Sequence, residues 1–263
     1  MKICENRVVI ITGAGGGLGR AYALAFAAEG AKVLVNDINR EAALAVVGEI
    51  LGQGGSAVAN SDDITRYDSA GLIVRQAIET FGDLNVVVNN AGICRDRMFA
   101  SLGESDWDAV VAVHLKGHFC ISSHAVKYWR EQAKGGAKVD ARIINTSSGA
   151  GLQGSIGQSN YAAAKGGIAS LTLVQAAELR RYGITANALA PAAGYGANAF
   201  AMIVTERPSE FHEQLEELRR GGWRAVAVSP AVPVPAAWSH FDQGGSALDT
   251  AAADVRRGAG VAR

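Results

Sequence analysis

Tyr161 and Lys165 stand four residues apart in the stretch NYAAAKGG, with only alanines between them. On an α-helix this spacing stacks a phenol and an ammonium on one face, one turn apart. A phenol of ordinary pKa, about 10, keeps its proton at neutral pH, and a nearby cation favours the phenolate. The pair therefore predicts a tyrosine with a lowered pKa that exchanges protons. A solvated helix face carrying an incidental Tyr and Lys has the same spacing, so the surrounding elements have to decide.

Those elements read as an α/β protein. Short β-branched runs at 7–12, 32–37, 56–60, 85–90, 141–148 and 184–191 alternate with helical patterns near 18–29, 40–51, 66–81, 105–133 and 159–181. Such alternation builds βαβ units around a buried parallel sheet. Gly30, Gly82 and Gly183 stand where the helices should stop. In a sheet of this kind ligands bind at the carboxyl ends of the strands.

The 263 residues suit one domain with a sizeable core. Lys plus Arg and Asp plus Glu number 25 each, so no overall field favours a nucleic acid or an anionic membrane, and a small-molecule partner is expected. Cys4, Cys94 and Cys120 are scattered without metal-type spacing, which suits structural thiols in a reducing compartment. No apolar run is long enough to span a bilayer and no signal-peptide core is visible, so a soluble cytoplasmic protein is expected.

After the first strand comes TGAGGGLGR, with Gly13, Gly17, Leu18 and Gly19 opening an apolar helix. Glycine permits a tight turn and close backbone approach, and the helix N-terminus offers unpaired N–H groups to a pyrophosphate. The second strand ends at Asp37, whose carboxylate can accept from both ribose hydroxyls and repel a 2′-phosphate. NAD rather than NADP is the expected cofactor. Asp37 also fits an ordinary cap for the helix that follows.

The order TGxxxGxG, then NNAG at 89–92, then Ser148 thirteen residues before Tyr161 and Lys165, resembles the short-chain dehydrogenase/reductase family across 7–191. NNAGICRDRMFA, VHLKGHF and NALAPAA are most similar to the (3R)-hydroxyacyl-CoA dehydrogenase part of peroxisomal multifunctional β-oxidation enzymes. The chain ends in GVAR rather than a peroxisomal address, so a stand-alone cytoplasmic relative is expected. The resemblance implies a single-domain, doubly wound Rossmann-type parallel sheet with helices on both faces, and a homodimer or homotetramer built on the long helices. It also implies NAD-dependent hydride transfer on a secondary alcohol or ketone, most similar to a 3-hydroxyacyl-CoA, with hydroxysteroids, sugar alcohols and acyl-carrier-protein thioesters as alternatives. A non-catalytic NAD-binding protein and a structural partner in a hetero-oligomer are the alternatives of another class.

By that resemblance Tyr161 is the acid/base, Lys165 also binds the nicotinamide ribose, and Ser148 holds the reacting oxygen. Ser147 and Ser148 should face opposite ways on a strand. Asn90, Ala91 and Gly92 are assigned to the ribose wall, and Asp63 with Ile64 to the adenine. His114 replaces an Asn that in many members holds a proton-relay water; it either titrates there or is a buried neutral histidine. No metal is expected: His114 and His118 are four apart, but Leu115 breaks HExxH and no carboxylate completes a set. His118 and His124 are expected on the helix surface or at an interface. Arg95 and Arg97 can meet the phosphates of a CoA thioester or simply line a solvated loop.

The division expected is a catalytic core over 1–191, a substrate lid over 192–221 with a helix capped by Ser209, and an atypical tail over 222–263. Three of the five prolines, Pro230, Pro233 and Pro235, fall in that tail. Proline cannot join a central ladder, so no seventh strand is expected and the tail reads as diverged or frameshifted. A family-specific lid is the alternative.

Overall fold

The computed structural model describes residues 2–191 and two later strands, 200–204 and 224–228. The strands are β1 (Val8–Thr12), β2 (Lys32–Asn36), β3 (Ser56–Asn60), β4 (Val86–Asn89), β5 (Ala141–Thr146), β6 (Ile184–Pro191), β7 (Phe200–Val204) and β8 (Arg224–Val228). The helices are α1 (Gly17–Ala28), α2 (Arg40–Gly52), α3 (Tyr67–Phe81), α4 (Glu104–Val111), α5 (Gly117–Lys134), α6 (Gly149–Gln153) and α7 (Ser159–Leu179). Strand order is β3-β2-β1-β4-β5-β6-β7-β8, with β1 to β6 all parallel. The order reverses between β1 and β4, where a doubly wound sheet opens a crevice for a ligand.

Alternation along the strands divides the core between the two faces. Val8 and Ile10 of β1 pack with α3, α5 and α7 residues such as Ile73, Ile121 and Ala176, while Val9 and Ile11 pack on the other face with Ala23 of α1 and Val46 of α2. Trp129 of α5 is buried on the first face and donates its indole N–H to Leu84 O at 2.6 Å.

A buried amide network ties the strand ends to the helices. Asn89 donates to Ser122 Oγ and to Asn145 Oδ1, each at 2.9 Å, and Asn145 donates to Thr172 Oγ1 at 2.8 Å and Gln175 Oε1 at 2.9 Å. The last turns of β4 and β5 are thereby pinned to α5 and α7, the elements that flank the crevice.

Two elements differ from the expected pattern. The single helix expected over 105–133 is divided by a π-helical turn, Ala112–Lys116, between α4 and α5. Past β6, β7 pairs antiparallel to it (Ala188 with Val204, Pro191 with Ala201), and β8 pairs parallel to β7. This corrects the expectation that no strand follows β6, and the diverged or frameshifted reading is not kept for these two runs. The proline argument failed because both apolar runs precede Pro230. The lid helix expected at Ser209 and the proline cluster lie outside the described residues.

Replacing Asn145 by Ala strips partners from Asn89, Thr172 and Gln175 at once. The expected loss of unfolding free energy in urea is about 2 kcal/mol or more. A change within about 0.5 kcal/mol, the ordinary range of surface substitutions, would show that the network does not hold these elements.

Candidate active site

The crevice between β1 and β4 is floored by backbone. Gly13 has φ +61°, and a Cβ there would sit 2.6 Å from Ala91 Cα, so only glycine lets the two strand ends close together. Asn90 fastens this junction, donating to Thr12 O at 3.1 Å and Gly13 O at 3.2 Å. The Thr12 hydroxyl accepts from the Asn90 and Ala91 N–H groups at 3.0 and 3.2 Å. Thr12 is a contributor that sequence reading passed over, although it opens the glycine motif.

Helix α1 begins at Gly17 with no side chain capping its first N–H groups, which leaves them for an anion. Asp37 sits beside this turn: Oδ2 accepts from Gly15 N and Oδ1 from Asn39 N, both at 2.9 Å. Helix α2 is capped by Asn39, not Asp37. Each carboxylate oxygen has a second lone pair, so Asp37 keeps acceptor capacity towards a ribose. The cradle, the uncapped helix start and the carboxylate fit a dinucleotide, with Leu18 half exposed on the first turn.

At the adenine end the fit is looser. Asp63 closes its own turn by accepting from Thr65 N at 2.8 Å. Ile64 is 7% exposed and points into the core, where it blocks any side chain at Gly117. Ile38, Asp62 and Asp63 line an open depression.

Tyr161 and Lys165 lie on one face of α7, as their spacing predicts. Lys165 is buried, its Nζ donating to Thr146 O at 2.6 Å and standing 5.6 Å from the Tyr161 ring centroid. Ser147 and Ser148 do face opposite ways: Ser147 is buried and donates to Lys165 O at 2.8 Å, whereas Ser148 caps α6, accepting from Ala150 N at 3.2 Å. The Ser148 hydroxyl lies near enough to Tyr161 to favour its phenolate.

The expected lowering of the Tyr161 pKa is not what this site shows. Burial pushes the phenol up, the Ser148 hydroxyl pulls against it, and Cys94 and Asp96 add to the rise. Burial also brings Lys165 down to about 8, so at neutral pH it remains mostly cationic.

His114, at the middle of the π turn, is buried with its ring edge-on to Tyr161, the centroids 5.1 Å apart. Its Nε2 lies 3.0 Å from Ile93 N and 2.8 Å from Ile93 O, and its Nδ1 has no hydrogen-bond partner among the described residues. Gly92 makes room for the imidazole, which a Cβ would strike. Burial first, and the Lys165 charge second, bring His114 down to about 4. The histidine is neutral near pH 7.

The surface or interface placement expected for His118 is corrected, whereas His124 is partly exposed and lines the depression beside Asp62 and Asp63. His118 is 1% exposed, neither ring nitrogen has a hydrogen-bond partner among the described residues, and burial with the charge of Lys165 keeps it neutral. His124 packs on Tyr67 at 4.3 Å between ring centroids and bonds Tyr67 O at 2.9 Å. The inward turn of His118 on α5 was not revealed by the helical spacing alone. Among the described residues no group of His, Cys, Asp and Glu could hold a metal ion.

Residues 7–228 match the short chain dehydrogenase family. The chain belongs to that family. It is 47% identical over 196 residues to the hydroxyacyl-CoA dehydrogenase ChsB1 of Mycobacterium tuberculosis, covering 72% of this chain and 62% of that protein. It is 46% identical over 199 residues to the peroxisomal multifunctional enzyme type 2 of Mus musculus, covering 72% of this chain but only 26% of the relative. Among solved structures, a short chain dehydrogenase from Mycobacterium avium matches with TM-score 0.70 and 59% identity, over 72% of this chain and 68% of that one. An NAD+-bound xylitol dehydrogenase matches with TM-score 0.68 and 29% identity, over 73% and 74%. The family's cofactor is a nicotinamide dinucleotide.

In this short chain dehydrogenase the loop after β4 carries Arg95 and Arg97 beside the site. Both guanidinium groups turn to one carboxylate, Asp106, at 4.0 and 3.7 Å, and each is about half exposed. A phosphate would compete with Asp106 for them.

Because His114 is already neutral, His114→Asn is expected to leave the pH–rate profile unchanged between about pH 6 and 9. Its effect belongs to stability. A folded-state pKa below the unfolded value of about 6.5 stabilises the fold above that pH, and the stabilisation is lost as pH falls towards 4. Denaturation between pH 7 and 4 should show a shallower loss in His114→Asn than in the wild type. An equal loss in both would contradict the assignment.

Proposed function

We propose that this chain is an NAD-dependent dehydrogenase that moves a hydride between a secondary alcohol and its ketone, with a 3-hydroxyacyl-CoA as substrate. The observation that carries the reading is the meeting of Ser148, Tyr161 and Lys165 at the carboxyl ends of the strands, beside a backbone cradle for a dinucleotide. The names of the hydroxyacyl-CoA dehydrogenase relatives support the substrate class. The exposed apolar side chains of Met98, Phe99 and Ile156, beside the Arg97 and Gln158 bridge, suit an acyl chain.

Gly13, Gly17, Leu18 and Gly19 would hold the pyrophosphate, Asp37 the adenosine ribose, and Asp63 and Ile64 the adenine. Asn90, Ala91, Gly92, Tyr161 and Lys165 would hold the nicotinamide ribose. The negative charge of Asp37 supports NAD over NADP. When bound, NAD accepts a hydride. The Ser148 hydroxyl, its oxygen occupied by Ala150 N–H, has its own proton to offer the substrate oxygen. Tyr161 takes the alcohol proton as the carbon gives up hydride, and in reduction it returns that proton. Lys165 stabilises the phenolate that results. His114, neutral, supports the Tyr161 ring and the Ile93 backbone rather than relaying protons by its own charge.

Half-exposed Phe119 on α5 and Val174 on α7 support a homodimer or homotetramer through those helices. The thiols Cys4, Cys94 and Cys120 form no disulfide, which supports the reducing cytoplasm. No helix among the described residues is long and apolar enough to cross a membrane.

The test is NADH formation from NAD and a (3R)-hydroxyacyl-CoA, with NADP run in parallel. Wild type should turn over with NAD preferred, at a rate that rises with pH because the buried phenol must lose its proton. Tyr161→Phe should lose about a thousandfold in kcat. No turnover while NAD binds, or equal turnover in Tyr161→Phe, would overturn the reading.

A further inference from the structure

Asn160 precedes the catalytic tyrosine and is 0% exposed. Its side chain uses both ends of the amide. Oδ1 accepts from Tyr161 N at 2.8 Å, and Nδ2 donates to Arg95 O at 3.1 Å and Asp106 O at 3.2 Å. One carboxamide therefore joins three separate pieces of chain: the first turn of α7, the loop after β4, and the first turn of α4.

The same loop is fastened to the segment before α7 at a second level. Arg97 N donates to Gly157 O at 2.8 Å, Arg97 and Gln158 form an isolated parallel bridge, and Gln158 donates to Asp96 Oδ2 at 3.1 Å. Asp96 and Cys94 lie close enough to Tyr161 to raise its pKa. The loop is a wall of the space in front of the phenol. Among the described residues, the links between that wall and α7 that come from a fully buried side chain beside Tyr161 are the Asn160 bonds.

We propose that Asn160 is a positioning residue, whose amide sets the Cys94–Arg97 loop and the start of α4 against Tyr161 so that the substrate mouth and the phenol keep one geometry. The proposal rests on Tyr161 being the acid/base of the reaction. A carboxamide suits the task because it offers an acceptor and two donor hydrogens from one rigid plane. An apolar residue would leave the Tyr161 N–H without its acceptor and take the amide donor from the Arg95 and Asp106 carbonyls. Asp would keep the acceptor and lose both donors.

Asn160→Asp and Asn160→Ala separate the two halves of the role. With Asp the bond to Tyr161 N survives and the loop is released. The expected result is a rise in KM of about tenfold, with kcat within about threefold of wild type and NADH affinity by fluorescence unchanged. With Ala both links are lost, so KM rises similarly and kcat also falls by about tenfold. Hydrogen exchange gives a readout that needs no turnover: the Arg97 amide should exchange about tenfold faster in both variants, with amides of β1 and β2 unchanged.

Unchanged KM with unchanged Arg97 exchange would overturn the proposal. So would equal loss of kcat, NADH affinity and core amide protection, the pattern of a residue needed only for folding. If the buried carboxylate prevents Asn160→Asp from folding, Asn160→Ala with its kcat–KM pattern and Arg97 exchange decides alone. A wild-type chain without turnover refutes the dehydrogenase reading, while faster exchange at Arg97 would still show the positioning contact.

Discussion

A single buried ammonium organises this site. Lys165 gives up most of its water on α7, and among the described residues the one oxygen it reaches by a hydrogen bond is the carbonyl of Thr146. An ion so desolvated tolerates few other charges nearby. The two imidazoles on its side, His114 and His118, are both held neutral, partly by its charge. Ser147 fixes the backbone of the same residue from below, and Gly151 lets α6 close on it, because any side chain there would strike the backbone at Lys165 and Gly166. The position of the cation is thereby set by main-chain contacts, before any ligand arrives.

The rest of the catalytic end is built to keep that geometry. The amide network from Asn89 through Asn145 to Thr172 and Gln175 holds β4 and β5 against α5 and α7 from inside. The π turn at Ala112–Lys116 adds a residue to the helix where the neutral imidazole of His114 must fill the gap above Gly92. Asn160 then ties the outer loop to the same helix. Tyr161 is half-buried among these supports, and burial by itself raises its pKa. The phenolate therefore depends on positive charge close to the phenol oxygen when the site is complete.

Much of this was legible in the sequence. Six parallel strands followed from β-branched runs between helical patterns, and the glycine turn, Asp37, Ser148, Tyr161 and Lys165 fell at strand ends or on α7 as their spacing required. Spacing to Tyr161 also singled out Ser148 over Ser147. What stayed hidden depends on tertiary contacts. The burial of His118 needs knowledge of which face of α5 meets α3 and β4. The π turn leaves no periodic signal over five residues. Asn160 looked like an ordinary flank of the motif, since the carbonyls it holds belong to residues far away in the chain. The direction of the Tyr161 shift was misread because spacing shows the charge of Lys165 but not the burial that outweighs it. Past β6, the short runs at Phe200–Val204 and Arg224–Val228 were passed over because the prolines beyond them weighed against any further strand.

The account turns on the state of that buried cation, and NMR of lysine labelled with 13C at Cε measures it directly in the chain without ligand. The account predicts that Lys165 titrates with a midpoint at about 8, while the His114 ring shows no protonation until well below pH 6. A Lys165 midpoint near the unperturbed value of about 10.4, together with a histidine at 114 that titrates near 6.5, would mean that water reaches the ammonium and that burial does not set the chemistry of this site.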